Sequence, residues 1–451
     1  MSITGASRAI RRGAPMALGT AIARLTGFAR TLTILWALGM TPVADAYTKA
    51  NGLPNSVYEL VLGGALASAV VPLLVRTPSE EFAERLLSLV VWLLAPLTVV
   101  AVLCAGPLAS LLGQHGPGQA LTADLARFLL PQILLYGVAA VLAAVLNAHG
   151  RFGVPMWAPV ANNLVVIGTA LLYRASEDLL LLALGTTAGV AAQLAVLAVA
   201  ARAAGFRLRP RLDPRGAGVR AIVRRAGWTL LAVAAVQVTT VVTARLLPEG
   251  AFTPFGTAAL LFQLPYSLVA VTAITGLLPR MTRAAAADDL PAIVADLSRA
   301  LRLTGLVLVP ASGVLLLFAP ALCGLVFGPF YEGAALIGTV LAAFAPALVP
   351  FAAFQIMQRV FFALGDTKTP ALLGTGVSLL IVGLSLAVPH GGNLPVLLAG
   401  VTGVGYTAGA LAAGLLLRRR LGRVDGRRVV RLHAGLALAT SLAAGAYVLA
   451  V

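Results

Sequence analysis

The sequence predicts an all-α polytopic membrane protein with about thirteen transmembrane helices, and three observations support this fold class. Hydrophobic residues make up 59% of the 451 residues and charged residues only 11%, whereas a soluble domain is about a quarter charged. The hydrophobic residues are grouped in runs that are long enough to cross a bilayer as helices. Arginines gather in every second connection between these runs, which is typical of loops on the cytoplasmic side.

Each predicted helix is an apolar run of roughly 20 residues or more, the length that crosses a bilayer. The first run follows a basic lead and lacks a clear small-residue cleavage site, so we interpret it as a transmembrane helix and not as a removed signal. The later runs are separated by short polar connections or by turns that contain Gly and Pro. The runs span residues 14–40, 46–75, 86–112, 122–148, 155–173, 179–203, 222–246, 255–279, 300–325, 334–363, 369–388, 394–417 and 430–450.

The arginines in the connections predict the side of the membrane that each terminus faces. Arginines precede the first run, and they crowd the connections after the sixth, eighth and twelfth runs, the last of which reads LRRRLGRVDGRRVVR. Intervening connections such as FGPFYEGA and PHGGNLP carry no arginine. With thirteen crossings, this alternation places the N-terminus in the cytoplasm and the C-terminus outside.

Two short motifs recur at a nearly constant spacing, which indicates an internal duplication. LPNS at 53–56 returns as LPYS at 264–267, and GRFGVP at 150–155 returns in form as GDTKTP at 365–370. A parallel repeat of two six-helix lobes, with a binding site near their interface, is an architecture of alternating-access transporters. The predicted parts are an N-terminal lobe at 1–205, a C-terminal lobe at 206–420, and a basic loop with a last helix at 421–451.

Charged residues inside the first two predicted helices are the strongest candidates for a binding site. Arg24 and Arg30 lie within the first run, where a charge facing lipid would be costly. Polar and glycine positions in the second run recur every three or four residues, which places them on one face of a helix. These positions are Asp45, Lys49, Gly52, Ser56, Glu59 and Gly63.

The charge balance of this cluster indicates an anionic ligand. Three cationic side chains stand against two carboxylates, and a guanidinium group makes forked contacts with phosphate. The alternative is a buried network in which the acids only neutralise the cations, although apolar packing would be less costly. The predicted binding residues of the first lobe are Arg24, Arg30, Asp45, Lys49, Asn55, Ser56 and Glu59.

The second predicted lobe carries mostly neutral polar groups within its helices. Such groups predict a cavity wall that forms hydrogen bonds and complements the charged wall of the first lobe. Gln355 and Gln358 are one turn apart, so a hydrogen bond between helices is an equal alternative for this pair. The predicted residues are Gln237, Gln263, Gln355 and Gln358.

Several classes of function are excluded by missing motifs. The chain has no GxxxxGK[ST] phosphate loop and no HExxH metal motif. Cys104 and Cys323 lie in apolar runs, so we interpret both as small core residues and not as metal ligands or a disulfide. The acidic pair in 287–301 opens an amphipathic helix. We therefore expect a protein that is not an enzyme, with no metal, no cofactor and no nucleic-acid partner.

The segments ARLTGFAR, GMTPVADAY and GLPNSVYELVLGGALASAVVPLL resemble the first two helices of the MurJ/MviN family. The GRFGVP loop, the LPYSLVAVTAITGLLP stretch and the ALGDTKTP loop fit the same family in order, so the resemblance covers about residues 10–420. The family comprises lipid II flippases of the multidrug, oligosaccharidyl-lipid and polysaccharide exporter superfamily. The resemblance implies two six-helix lobes around a cationic central cavity, in a bacterial plasma membrane.

The resemblance also implies a substrate and a role for three residues. The family moves lipid II, the undecaprenyl-pyrophosphate-linked peptidoglycan precursor, from the inner to the outer leaflet. Arg24 and Arg30 match the two arginines in the family's first helix, which would contact the pyrophosphate and the sugar-peptide headgroup. Asp45 matches an aspartate in its second helix.

Three positions differ from the family pattern and leave other functions open. Tyr58, Gly63 and Leu260 stand where the family commonly carries charged residues. One alternative is a paralogous exporter of another polyprenyl-linked or amphipathic anion. Another is a membrane scaffold that does not transport and that recruits cell-wall synthesis proteins through its basic loop. Membrane lipids are expected partners in every case.

Overall fold

The computed structural model describes residues 3–60, 80–206, 219–422, 431–432 and 434–436. Within these ranges every regular element is a helix, which confirms the predicted all-α class. The chain forms two compact units, Met1–Val233 and Ala234–Val451. The predicted division into lobes at 1–205 and 206–420, followed by a C-terminal segment at 421–451, stays a prediction.

The first unit contains eight described helices and the start of a ninth. Thr41 begins the second of these helices, because its hydroxyl accepts a hydrogen bond from the amide of Ala44 and Pro42 fits the first turn. Asp178 begins the eighth helix by accepting from the amides of Leu180 and Leu181. The helices are α1 (Ile3–Leu38), α2 (Pro42–Glu59), α3 (Glu80–Leu103), α4 (Ala105–Leu111), α5 (Gly116–Leu129), α6 (Gln132–Ala148), α7 (Gly153–Ser176), α8 (Leu179–Ala203) and α9 (Val219–Leu246), which continues into the second unit.

The second unit is centred on aromatic side chains from four of its helices. The rings of Phe262 and Phe344 are 5.2 Å apart, and Phe351 packs 4.8 Å from both Tyr266 and Tyr406. The remaining helices are α10 (Phe252–Ala286), α11 (Leu290–Phe327), α12 (Ala334–Phe344), α13 (Leu348–Ala363), α14 (Lys368–Ala387) and α15 (Leu394–Leu421), with a 3₁₀ turn at Ala345–Ala347 between α12 and α13.

Nine helical segments among the described residues are long and apolar enough to cross a membrane. The chain is therefore a multi-pass membrane protein, and each apolar run predicted up to residue 417 contains helix. Helix α2 does not reach that apolarity, because its eighteen residues include three charged side chains. The last predicted run, 430–450, and residues 61–75 of the second lie almost wholly outside the described residues.

The two loops of the predicted repeat have the same backbone structure. Gly150 and Gly365 both adopt positive φ, at 73° and 75°, which favours glycine. In each loop the glycine amide donates to the carbonyl oxygen three residues earlier, and the next amide donates to the oxygen five residues earlier. This pair of hydrogen bonds closes α6 and α13 in the same way. The local geometry therefore agrees with the sequence match between the loops.

Asp366 in the second of these loops joins two helices. Its carboxylate accepts hydrogen bonds from the amide of Thr369 (2.9 Å) and the hydroxyl of Thr369 (2.7 Å) at the start of α14, and from Arg420 (2.6 Å) in the last turn of α15. Burial alone would raise the pKa of Asp366, but these hydrogen bonds and the Arg420 charge outweigh it and lower the pKa. The ionised carboxylate is therefore the form that stabilises the fold.

We expect Asp366→Asn to lower the thermal unfolding midpoint of the purified protein at neutral pH, by an amount equivalent to about 1 kcal/mol. Because the folded pKa is below the unfolded value, the stabilisation is present above the unfolded pKa. It is lost as the pH falls through the folded pKa. The difference between variant and parent should therefore shrink in acid. The matched control is Asp124→Asn, since the exposed pair of Asp124 and Arg127 should contribute little at any pH.

Candidate functional site

A polar cavity of about 100 Å³ lies inside the first unit. Five helices contribute to its wall, and most of the side chains that line it are polar or carry a hydroxyl group. Because a cavity in a membrane protein with such a wall suits water or a polar ligand, it is the candidate site of this unit. The lining residues are Arg30, Ile34, Tyr47, Asn51, Asn55, Gln132, Tyr136, Asn162, Val166, Thr186 and Val190.

Helix α7 holds the part of α1 that carries the two predicted arginines. The amide nitrogen of Asn163 donates to the carbonyl oxygen of Ala23 (3.2 Å) and to the hydroxyl of Thr26 (3.0 Å). Ala23 directly precedes Arg24, and Thr26 lies between Arg24 and Arg30, so these contacts hold the backbone that carries both arginines. Arg30 is half-buried and lines the cavity, whereas Arg24 is exposed.

Helix α2 presents three residues to the cavity at a spacing of four. These are Tyr47, Asn51 and Asn55, which lie on one face of the helix. The hydroxyl of Tyr47 is 3.0 Å from the hydroxyl of Thr186 on α8, and the amide of Asn55 donates to the backbone oxygen of Asn51 (2.9 Å). This face of α2 is therefore connected to α8 at the level of the cavity.

The described side chains of the charged stripe predicted on α2 do not share one environment, and they do not line the cavity. Asp45 and Lys49 are 2% and 3% exposed and lie one turn apart. Ser56 is half-buried and Glu59 is exposed, and Gly63 lies outside the described residues. None of the four described side chains lines the cavity, which brings together only Arg30 and Asn55 of the predicted binding residues. Their roles in ligand binding stay predictions.

The four glutamines predicted in the second unit differ in environment. Gln237 and Gln355 are half-buried, whereas Gln263 is exposed and donates to the carbonyl oxygen of Ala259 (3.3 Å). The amide of Gln358 donates to the carbonyl oxygen of Pro370 (3.5 Å), which joins α13 to α14. This contact agrees with the alternative of a hydrogen bond between helices. Their place in a common binding site stays a prediction.

Sequence reasoning missed most of the cavity wall. Gln132, Tyr136, Asn162 and Thr186 are neutral, and they come from three helices that are distant from α2 in sequence. Tyr58, which stands at one of the positions that differ from the resembled family, packs its ring 4.5 Å from the ring of Tyr136. Amide side chains within strongly apolar runs could have indicated these residues. Such side chains are costly inside a membrane unless they are paired or solvated.

The described residues contain no group of three or more His, Cys, Asp or Glu side chains that could hold a metal ion. Within the same residues, Cys323 is buried, as predicted, whereas Cys104 is exposed, so the prediction of a core position is wrong for Cys104.

The family model and the most similar relatives that were compared indicate the same protein family. The family described as "Lipid II flippase MurJ" matches residues 34–451, a range that begins after Arg24 and Arg30. The chain is 29% identical over 407 residues to the probable lipid II flippase MurJ of Rhizobium meliloti (strain 1021), covering 84% of this chain and 75% of the relative. It is 28% identical over 429 residues to the lipid II flippase MurJ of Burkholderia cenocepacia, covering 89% and 82%.

Solved structures share the fold at lower identity. A lipid II flippase MurJ in an inward closed conformation matches with a TM-score of 0.81 and 18% identity, over 95% of this chain and 91% of that one. An inward-facing multidrug resistance transporter of the MATE family and MOP superfamily matches with a TM-score of 0.72 and 15% identity, over 90% and 96%. The two-lobe helical transporter fold is therefore the fold of this chain.

Proposed function

Because the chain belongs to the MurJ family of lipid II flippases, we propose that it translocates lipid II from the inner to the outer leaflet of a bacterial plasma membrane. The observation that carries this proposal is the family match over residues 34–451. The apolar helical segments of the described chain fit a transporter that crosses the bilayer many times.

Arg30 would contact the anionic headgroup of the transported lipid. The residue is half-buried, and its side chain lines a polar cavity. A guanidinium group matches the oxygens of a phosphate in geometry and charge. Arg24, six residues earlier and exposed, would contribute a second positive charge to the approach of the pyrophosphate.

The transport cycle would be alternating access. Related transporters of the MOP superfamily have been solved in inward-facing and outward-facing conformations, and they share this fold. An inside-negative potential favours the outward movement of an anionic headgroup. One charge that crosses 100 mV gains roughly 2.3 kcal/mol, which is enough to bias such a cycle.

The proposed orientation follows from the arginine-rich connections. The N-terminus would lie in the cytoplasm and the C-terminus outside, with LRRRLGRVDGRRVVR on the cytoplasmic side. This segment would contact anionic membrane lipids, and cell-wall synthesis proteins are a second class of partner for it. Most of its residues lie outside the described part of the chain.

The first test is complementation. The resident lipid II flippase of a bacterium is depleted, this chain is expressed, and the lipid II that reaches the outer leaflet is measured in intact cells. We expect growth to be restored and outer-leaflet lipid II to return towards the undepleted level. Expression and insertion are checked by a membrane-fraction immunoblot.

A well-inserted chain that leaves lipid II in the inner leaflet would contradict the proposal. The membranes of the native host would then be searched for another polyprenyl-linked anion that accumulates when the chain is deleted. Restored growth without recovery of outer-leaflet lipid II would instead favour a scaffold that acts on the cell-wall machinery.

A further inference from the structure

Four buried atoms on side chains that line the cavity of the first unit have no hydrogen-bond partner within the described part of the chain. Three are amide oxygens, on Asn51, Gln132 and Asn162, and the fourth is Nε of Arg30. Gln132 is fully buried and Asn162 is 6% exposed. Because a buried polar atom without a partner is costly, four of them around one cavity indicate that a polar ligand or water completes the site.

The orientation of the Gln132 amide follows from its neighbours. The hydroxyl of Thr187 donates its single proton to the carbonyl oxygen of Phe128 (2.7 Å), so towards Gln132 it can only accept. The amide nitrogen of Gln132 therefore donates to Thr187 (3.1 Å), which leaves the amide oxygen of Gln132 as the unpaired atom. The amide oxygen of Gln132 is thus an acceptor whose orientation is fixed by Thr187 at the other end of the amide.

The hydroxyl of Tyr47 is constrained in the same manner. Thr186 donates its proton to the carbonyl oxygen of Leu182 (2.7 Å), so Tyr47 must donate to the hydroxyl oxygen of Thr186 (3.0 Å). Tyr47 then offers only an oxygen lone pair to a ligand. The wall consequently presents several acceptors beside one cationic donor, the Nε of Arg30.

This donor and acceptor pattern discriminates between parts of a glycolipid headgroup. A pyrophosphate has acceptor oxygens only, so in this cavity it would face the unpaired amide oxygens. An ammonium group would meet the positive charge of Arg30. A neutral group with several O–H or N–H donors and one carbonyl oxygen satisfies both sets of wall atoms, and sugar hydroxyl and acetamido groups have this composition.

The size of the cavity limits how much of a headgroup it can hold. At about 100 Å³ it is smaller than an apolar cavity of ~150 Å³ that binds one benzene molecule. The cavity therefore suits two or three substituents along one edge of a sugar and not a complete disaccharide.

We propose that this cavity binds the hydroxyl- and acetamido-bearing edge of a sugar in the headgroup of the transported lipid. The amide oxygens of Asn51, Gln132 and Asn162 accept from the sugar, and Arg30 donates to its carbonyl oxygen. The inference rests on the proposed function. It assigns the cavity and Nε of Arg30 to the sugar, and it leaves the terminal nitrogens of Arg30 to the pyrophosphate. Gln132, whose amide is oriented by Thr187, is the central residue.

The test compares two lipid probes on the purified full-length protein in nanodiscs. Lipid II carries the sugars, whereas undecaprenyl pyrophosphate lacks them. The dissociation constants of both lipids are measured by native mass spectrometry. We expect Gln132→Met, which keeps length and shape but removes the acceptor together with the hydrogen bond to Thr187, to weaken lipid II binding at least tenfold. Binding of undecaprenyl pyrophosphate should change less than twofold.

The matched control is Gln119→Met, because Gln119 donates to the carbonyl oxygen of Gly106 (3.3 Å) away from the cavity. This variant should leave both dissociation constants unchanged. If Gln132→Met lowers the thermal unfolding midpoint strongly, Asn51→Ala serves as the second variant. Asn51 is half-buried and also contributes an unpaired amide oxygen.

Two outcomes would overturn the inference. Equal weakening of both lipids would mean that Gln132 acts only in packing, and no change in either would mean that the cavity holds only water. The leaflet assay separates these outcomes from failure of the proposed function. A chain that flips lipid II while Gln132→Met binds normally refutes the sugar site alone, whereas sugar-dependent binding without lipid II translocation refutes the proposed function.

Discussion

Replacement of Arg30 by alanine is expected to abolish rescue by this chain while leaving the protein in the membrane. Arg30 lines the polar cavity of the first unit, and its Nε lacks a hydrogen-bond partner within the described residues. A hydrogen bond from a charged donor contributes about 1.5–3 kcal/mol, so loss of one such contact should slow translocation roughly tenfold to a hundredfold. The rate of lipid II appearance in the outer leaflet measures this effect.

Two further substitutions show whether the effect comes from the guanidinium group. Arg30→Lys keeps the charge but loses the planar fork, so it should recover only part of the activity. Arg24→Ala should be milder than Arg30→Ala, because Arg24 is exposed. Arg127→Ala is the matched control, since Arg127 is exposed and pairs with Asp124 on the surface of α5. Normal transport by Arg30→Ala would remove Arg30 from the proposed mechanism.

The helices could be predicted from sequence because hydrophobic length alone determines which segments can cross a bilayer. Breaks within an apolar run could not be predicted in this way. The run at 122–148 is divided into α5 and α6 next to Pro131, and the run at 334–363 is divided by the 3₁₀ turn that contains Pro346. Mean hydropathy does not register such a break, because the interrupted segments remain equally apolar.

The candidate site could be predicted only in part, for two physical reasons. Charge directs attention to Asp45 and Lys49, but the cavity face of α2 is the neutral one that carries Tyr47 and Asn51. Spacing along one helix also cannot reveal a partner on another. The contact between Tyr47 and Thr186 joins residues 139 positions apart, and it depends on how α2 packs against α8.

The close approach of α12 to α11 gives the largest expected effect on stability. A Cβ atom on Gly338 would lie 2.5 Å from the Cα atom of Pro320 and 3.1 Å from the carbonyl oxygen of Ala319. Both neighbours are backbone atoms, which cannot rotate away as the end of a flexible side chain can. Small residues of this kind allow helices in membranes to pack tightly.

We therefore expect Gly338→Val to separate the two helices and to lower the free energy of unfolding by about 2–3 kcal/mol or more. Gly338→Ala should give a smaller loss in the same direction. Gly324→Val is the matched control, because Gly324 lies on the exposed side of α11 and a Cβ there meets no atom within 4 Å. The measurements are the thermal unfolding midpoint in detergent and the yield of monodisperse protein. If Gly338→Val and Gly324→Val unfold at the same temperature, the helices tolerate a wider spacing and the close contact does not contribute to stability.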